Sequence, residues 1–145
     1  MPSPFHIRPY HADDEEAVIA LWTACKLVVP HNDPKKDIAR KLRVNPAWFL
    51  IGEQDRMIVA TCMAGYEGHR GWINYLAVSP GAQRRRLASR MMEEAERMLR
   101  NAGCPKINLQ IRSTNSQVIE FYKSIGFKVD DVTCMGKRLE VDGEA

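Results

Sequence analysis

A mixed α/β domain built on one sheet is what this residue pattern predicts, and three observations carry it. Strand-like runs such as Phe5 to Tyr10, Met57 to Tyr66 and Ile107 to Ile111 are interleaved with segments whose apolar residues recur at helical spacing. An apolar run, Trp72-Ile73-Asn74-Tyr75-Leu76-Ala77-Val78, stops at Ser79-Pro80 and leads through a basic stretch into a long amphipathic pattern ending near Ala102, which reads as strand, loop, helix. The chain has 145 residues, 45% of them hydrophobic, without internal repeat, linker or low-complexity segment, so the expectation is one domain over 1–145 with its core at about residues 5–140.

Each element follows from local chemistry. Phe5 to Tyr10 alternates as a first strand with Ile7 on one face. Asp13 or Asp14 can cap a helix carrying Ala17, Val18, Leu21, Trp22 and Cys25. Asp33-Pro34 pairs a capping side chain with proline at the first helical position, and the helix it opens turns Ile38 and Leu42 inward before ending near Asn45-Pro46. Trp48 to Gly52 and Met57 to Tyr66 form a hairpin around Gln54-Asp55-Arg56. The helix after the basic loop keeps Leu87, Met91, Ala95, Met98 and Ala102 on one stripe and stops at Gly103, with Pro105 beyond. Ile107 to Ile111 is the next strand, and Asn115 caps a helix bearing Val118, Ile119, Tyr122 and Ile125, closed by Gly126. Phe127 to Val132 and Thr133 to Leu139 read as terminal strands before an acidic tail.

Composition excludes several classes of function. A net charge of +3, with acidic and basic residues interspersed, is too mild for nonspecific nucleic-acid binding. No stretch is long and apolar enough for a membrane span, and Met1-Pro2-Ser3-Pro4-Phe5-His6 lacks the order of a signal peptide. The four cysteines, Cys25, Cys62, Cys104 and Cys134, never form a CxxC pair and read as reduced, buried residues of a cytoplasmic protein. His6 and His11 have no partner at metal-ligand spacing and read as surface residues, so no metal is expected.

The chemistry concentrates where the strand ending at Val78 becomes a helix. A helix start presents free backbone N–H groups and a partial positive charge, which suits a phosphate. Gln83 to Ser89 supplies such a run, and Arg84, Arg85 and Arg86 add guanidinium groups for a polyanion. The same arginines would also serve as a solvated face, and the buried strand before them favours a ligand.

Leu76-Ala77-Val78-Ser79-Pro80, Gln83-Arg84-Arg85-Arg86-Leu87-Ala88, and Asn115 followed by Phe121-Tyr122-Lys123-Ser124-Ile125-Gly126-Phe127 together resemble the GNAT family of N-acetyltransferases. The order β-α-α-β-β-β-α-β-α-β-β matches over nearly the whole chain. Trp22, Asn32-Asp33-Pro34, Gly65-Tyr66-Glu67-Gly68-His69-Arg70-Gly71 and Gly103-Cys104-Pro105-Lys106-Ile107 resemble the YpeA-like branch. One position departs from the family's loop, Gln/Arg-x-x-Gly-x-Gly/Ala: Arg86 stands at the first glycine, while Ala88 fits the second small position. With an ordinary negative φ in the first helical turn, the Arg86 N–H would still donate and its Cβ would point away from the ligand.

The resemblance implies the GNAT acyl-CoA N-acyltransferase fold, a mostly antiparallel sheet with a splayed parallel strand pair and four helices. It also implies acetyl-CoA as co-substrate and a primary amine as acceptor, either a small molecule or a peptide or protein amine. Leu76 and Val78 would offer backbone groups to the pantetheine arm, Gln83, Arg84, Arg85, Arg86, Ala88 and Ser89 would surround the pyrophosphate, and Asn115 would add a contact beyond its capping role. A bulge in the strand would splay it and supply donors for the thioester carbonyl. Tyr122 matches the tyrosine that protonates the departing thiolate; as a plain residue it reads equally as a core aromatic. Glu67 and His69, between two central strands, are the base candidates, against the bland reading of a polar turn. His31, Asn32 and Arg70 would flank the acceptor entrance. The alternative is a non-catalytic member that binds acyl-CoA as a sensor or accessory module, a reading that rests on Arg86. An exposed terminal strand would offer an edge to a second copy, hence a homodimer.

Overall fold

In the computed structural model residues 4–142 are described, with the backbone alone of residues 83–85. Five strands and four helices alternate along the chain: β1 (His6–Pro9), α1 (Glu15–Ala24), α2 (Pro34–Leu42), β2 (Phe49–Gln54), β3 (Met57–Tyr66), β4 (Gly71–Val78), α3 (Leu87–Asn101), β5 (Ile107–Asn108) and α4 (Ser116–Ser124). The strands lie in sequence order in one sheet, antiparallel from β1 to β4, with β5 added parallel to β4.

Local chemistry sets most boundaries. The Asp33 carboxylate accepts the N–H groups of Lys35 and Lys36 ahead of Pro34, so α2 begins where the sequence places it. The hairpin of β2 and β3 turns through Asp55 and Arg56, both at positive φ as its tight turn requires. Gly103 and Gly126 sit at φ 87° and 103° just past α3 and α4, a conformation that costs glycine nothing. Asp14 behaves differently from the expected cap. Its carboxylate takes both Arg8 nitrogens at 2.8 and 2.9 Å and the His11 N–H at 2.8 Å, tying β1 to the start of α1.

Two apolar clusters lie on opposite faces of the sheet. One face packs α3 through Leu87, Met91, Ala95 and Leu99 on Ala60, Cys62, Ala64, Ile73 and Val78, and takes in Tyr122 from α4. The other packs Val18, Leu21 and Trp22 of α1 and Ile38 of α2 on Phe49, Ile51, Met63 and Ala77. Leu42, expected inward, is exposed, because Ile38 alone fills the contact of the short α2. Of the cysteines only Cys62 is buried. Cys25 and Cys104 are partly exposed, and Cys134 is exposed on the C-terminal segment, so the expectation of buried thiols holds at one position.

The two terminal strands expected at 127–132 and 133–139 are not formed. β5 pairs with β4 over two residues only, which leaves no long ladder for further strands to extend. Charges and Gly136 also interrupt the alternation of that segment. Side chains fasten it instead: Asp130 to Lys106 at 2.7 Å, Cys134 to Gln110, and Asp142 to Arg40. Val129, Val132, Met135 and Leu139 consequently remain exposed. The edge expected to pair with a second copy is therefore absent among the described residues. No helix among them is long and apolar enough to cross a membrane.

Candidate active site

The site grows from an irregularity in the middle of the sheet. Thr61 of β3 faces Ala77 and Met63 faces Asn74, so Tyr75 and Leu76 together oppose Cys62: a β-bulge. Tyr75 takes the left-handed conformation, φ 51°. The surroundings hold it there. Its ring stacks on the buried Trp22 at 3.8 Å, its hydroxyl donates to Asp37 Oδ2 at 2.6 Å, and its carbonyl accepts the Thr61 hydroxyl at 2.8 Å. Thr61 in turn accepts Trp22 Nε1–H at 2.9 Å, so one fully buried hydroxyl fixes both the indole and the bulge. Burial and the Asp37 carboxylate push the Tyr75 phenol above its usual range.

β4 and β5 part company just before this bulge. Their pairing is Gly71 with Ile107 and Trp72 with Asn108, and β4 then continues beyond this ladder to Val78. Past the bulge, β4 leads to the start of α3. There the chain passes through a short 3-10 segment, Pro80–Arg85, and α3 begins after Arg86. The first intrahelical bond joins the Arg90 N–H to the Arg86 carbonyl at 3.2 Å, so the N–H groups of Leu87, Ala88 and Ser89 project from the helix start.

Arg86 corrects the sequence reading. Its backbone is left-handed, φ 59° and ψ 24°, rather than in the first helical turn at negative φ. The chain thus keeps a conformation in which glycine is free of strain and pays for it with an arginine. The Gln83, Arg84 and Arg85 side chains, expected around the pyrophosphate, lie outside the described residues.

Tyr122 sits on α4 with its ring 7% exposed, edge-on to Phe121 at 5.1 Å and to Phe127 at 5.4 Å. It shares the α3-side cluster with Val78 and Leu87, against which Leu76 and Ala88 also pack. Its hydroxyl bonds to none of the described residues. Every fully buried side-chain polar atom among them has a partner, so that oxygen still reaches the surface. Burial of the ring, with the nearby Cys62 thiol, pushes the phenol upward, and burial pushes Cys62 itself up to about 12.

The remaining sequence candidates are dispersed. The Val78 carbonyl accepts the Cys25 thiol at 3.2 Å. Asn115 Oδ1 accepts the Val118 N–H at 3.3 Å and caps α4 as expected. Glu67 and His69 occupy the exposed turn before Gly71, at the paired end of β4, about 13 Å or more of strand from Tyr75. Glu67 Oε1 accepts the N–H groups of His69 (2.8 Å) and Arg70, bonds that hold its carboxyl below the usual range. Sequence reasoning missed Thr61, Asp37, Arg40 and Lys41. The half-buried Lys41 donates to the Ala64 carbonyl, just past the end of the β2–β3 pairing, and burial lowers its pKa. Only the helical spacing of Asp37, Arg40 and Lys41 hinted at a functional face.

Residues 14–127 match the model of the Acetyltransferase (GNAT) family. The chain belongs to that family. This GNAT chain is 44% identical over 138 residues to an acetyltransferase of Pectobacterium atrosepticum, covering 95% of this chain and 98% of that one. An acetyltransferase of Yersinia pestis is 43% identical over the same length and shares. Among solved structures, the fold of the GNAT chain is similar to that of AAC(6')-Iy in complex with the bisubstrate analog CoA-S-monomethyl-acetylneamine. The TM-score there is 0.75 at 18% identity, covering 94% of this chain and 99% of that chain. The GNAT chain is accordingly an acyltransferase with the mixed sheet and four helices that its sequence predicts.

Proposed function

We propose that this chain transfers the acetyl group of acetyl-CoA to a primary amine by direct attack. The observation that supports the reading is the early parting of β4 from β5 ahead of the bulge, on a strand that leads to the helix start of α3, where the first N–H groups make no intrahelical bond. That shape suits an extended thioester with a pyrophosphate at its far end. The bisubstrate analog named for the similar solved structure joins CoA to an acetylated amine, which supports the same pairing of donor and acceptor here.

In this reading the N–H groups of Leu87, Ala88 and Ser89, with the Gln83 to Arg86 loop, bind the pyrophosphate. Leu76 and Val78 offer backbone groups to the pantetheine amides. Asn115, at the start of α4, faces the same ligand. The amine nitrogen attacks the thioester carbon, the C–S bond breaks, and the sulfur takes a proton from Tyr122, while the ammonium formed gives its extra proton to solvent. Burial raises the Tyr122 phenol above its ordinary value, so it stays protonated until the sulfur departs, and the same apolar surroundings disfavour a bare thiolate and draw the proton to it. The Glu67 carboxylate is held by the N–H groups of its own turn at the far end of β4, which speaks against it as the base. The non-catalytic reading loses its ground too, because the Arg86 backbone retains the glycine-like shape.

Calorimetry with acetyl-CoA and thiol release across an amine panel test the reading. Tyr122→Phe should lower kcat about a hundredfold with the acetyl-CoA Kd changed less than about twofold. An unchanged kcat strips Tyr122 of its role as acid.

A further inference from the structure

A single run of hydrogen bonds crosses the middle of the sheet, and the chemistry of its members fixes its direction. The Trp22 indole N–H, which can only donate, bonds to Thr61 Oγ1 at 2.9 Å. The Tyr75 carbonyl, which can only accept, lies 2.8 Å from the same oxygen. A hydroxyl has a single proton to give, so Thr61 accepts from the indole and spends its own proton on Tyr75. Trp22 and Thr61 are fully buried, and both bonds are made away from bulk water.

The carbonyl so held belongs to the peptide that joins the two bulged residues, Tyr75 and Leu76. No cis peptide bond occurs among the described residues, and in a planar trans peptide the N–H points opposite to the C=O. Thr61 therefore aims the Leu76 N–H away from itself and away from β3. Leu76 lies beyond Trp72, the last residue of β4 that β5 pairs. Three contacts keep the Tyr75 side of this peptide from turning: Thr61 on the carbonyl, the Trp22 ring stacked at 3.8 Å, and Asp37 on the phenol at 2.6 Å. A bond donated to the carbonyl also polarises the amide, which makes the N–H at its other end a stronger donor.

We infer that Thr61 is a positioning residue for acetyl transfer: its hydroxyl, oriented by Trp22, sets and polarises the Tyr75–Leu76 peptide so that the Leu76 N–H donates to the thioester oxygen. The inference rests on the proposed acetyl transfer and names the side chain that prepares its oxyanion donor. As the amine adds, the thioester oxygen gains negative charge, and a donor already fixed in direction needs no reorganisation at that moment.

Isotope-edited infrared spectra of the chain saturated with carbonyl-labelled acetyl-CoA test this without any acceptor. The thioester carbonyl stretch should fall on binding to the unsubstituted chain and to Thr61→Ser, which keeps the hydroxyl. Thr61→Val keeps the shape and should lose most of that fall, with the acetyl-CoA Kd changed less than about twofold. With an amine that turns over, the same variant should lower kcat about tenfold at little change in KM for acetyl-CoA, and Thr61→Ser should restore it. A purely structural threonine would lower the folded fraction and leave the stretch of the bound thioester where it was. Trp22→Phe keeps a ring against Tyr75 but removes the indole donor, and should lose a smaller part of the fall. A full fall in Thr61→Val, or its loss in Thr61→Ser, overturns the inference while acetyl transfer stands. So does bound acetyl-CoA whose stretch does not move in the unsubstituted chain. Where Thr61→Val does not fold, a full fall in Trp22→Phe overturns it equally. Failure of acetyl-CoA to bind the unsubstituted chain removes the underlying reading instead.

Discussion

Tyr75 and Arg86 share a left-handed backbone, at φ 51° and 59°, at the two ends of the same proposed cofactor track. Yet they are held by opposite means. Around Tyr75 the strain is enforced by an indole stack, a phenol–carboxylate bond and a threonine bonded to its carbonyl, all in or against the core. Arg86 is exposed, makes no side-chain cap bond, and stands at the start of a helix whose stability comes from its own buried stripe. The same conformational cost, of order 1–2 kcal/mol per residue, is thus over-determined at one end and uncompensated by side-chain bonds at the other.

Glycine placed at each position breaks the comparison most directly. Tyr75→Gly relieves the strain but removes the stack and the Asp37 bond, and should destabilise the fold by about 2–3 kcal/mol in urea titrations. Thr61→Val keeps the shape while orphaning the Trp22 indole N–H and the Tyr75 carbonyl, for an expected loss of about 2 kcal/mol. A stability change under about 0.5 kcal/mol in that variant would mean the bulge does not depend on the threonine. Arg86→Gly comes last, with an expected gain of up to about 1 kcal/mol and acetyl-CoA binding unchanged or tighter. A large loss of binding would show that the guanidinium itself grips the cofactor.

pH offers an intermediate handle on the bulge side. Cys62, opposite the bulge, is raised from 9.0 to about 12, and Tyr75 and Tyr122 are raised as well. The folded chain therefore holds these protons where the unfolded chain loses them. Their contribution is fully present below about pH 9 and is lost as pH climbs towards 12. Lys41, with its lowered pKa, acts in the opposite sense over the same range. Urea midpoints should fall between pH 9 and 11, and Cys62→Ala should flatten that fall. A slope identical to that of the unsubstituted chain would clear the thiol of any part in it.

How far the sequence reads through depends on the range of the cause. The cap at Asp33, the glycine stops at Gly103 and Gly126 and the strand-to-helix join at Val78 are set by neighbours in sequence, and they appear as expected. The family pattern carried the parallel pair of β4 and β5 as well. The bulge partners were out of reach, because Trp22, Thr61 and Tyr75 meet only when α1, β3 and β4 are stacked. The Arg86 backbone was out of reach for a related reason: its φ is set by the path of the chain into α3, against the local preference of an arginine. The terminal strands failed because alternation licenses a strand only where an edge exists to receive it, and β5 offers two residues.

That short pairing has a further consequence, in time rather than in shape. From Ile73 onward, the β4 amides directed at β3 are locked in a ladder between central strands, while those directed away lie past the two-residue ladder with β5. Deuterium should therefore enter this strand unevenly, slowly at the amides bonded to β3 and faster at the others, with the alternation broken at the Tyr75–Leu76 bulge. A molecule lodged beside these outward amides would slow them, so the exchange pattern of β4 becomes a clock for occupancy that requires neither turnover nor a known acceptor.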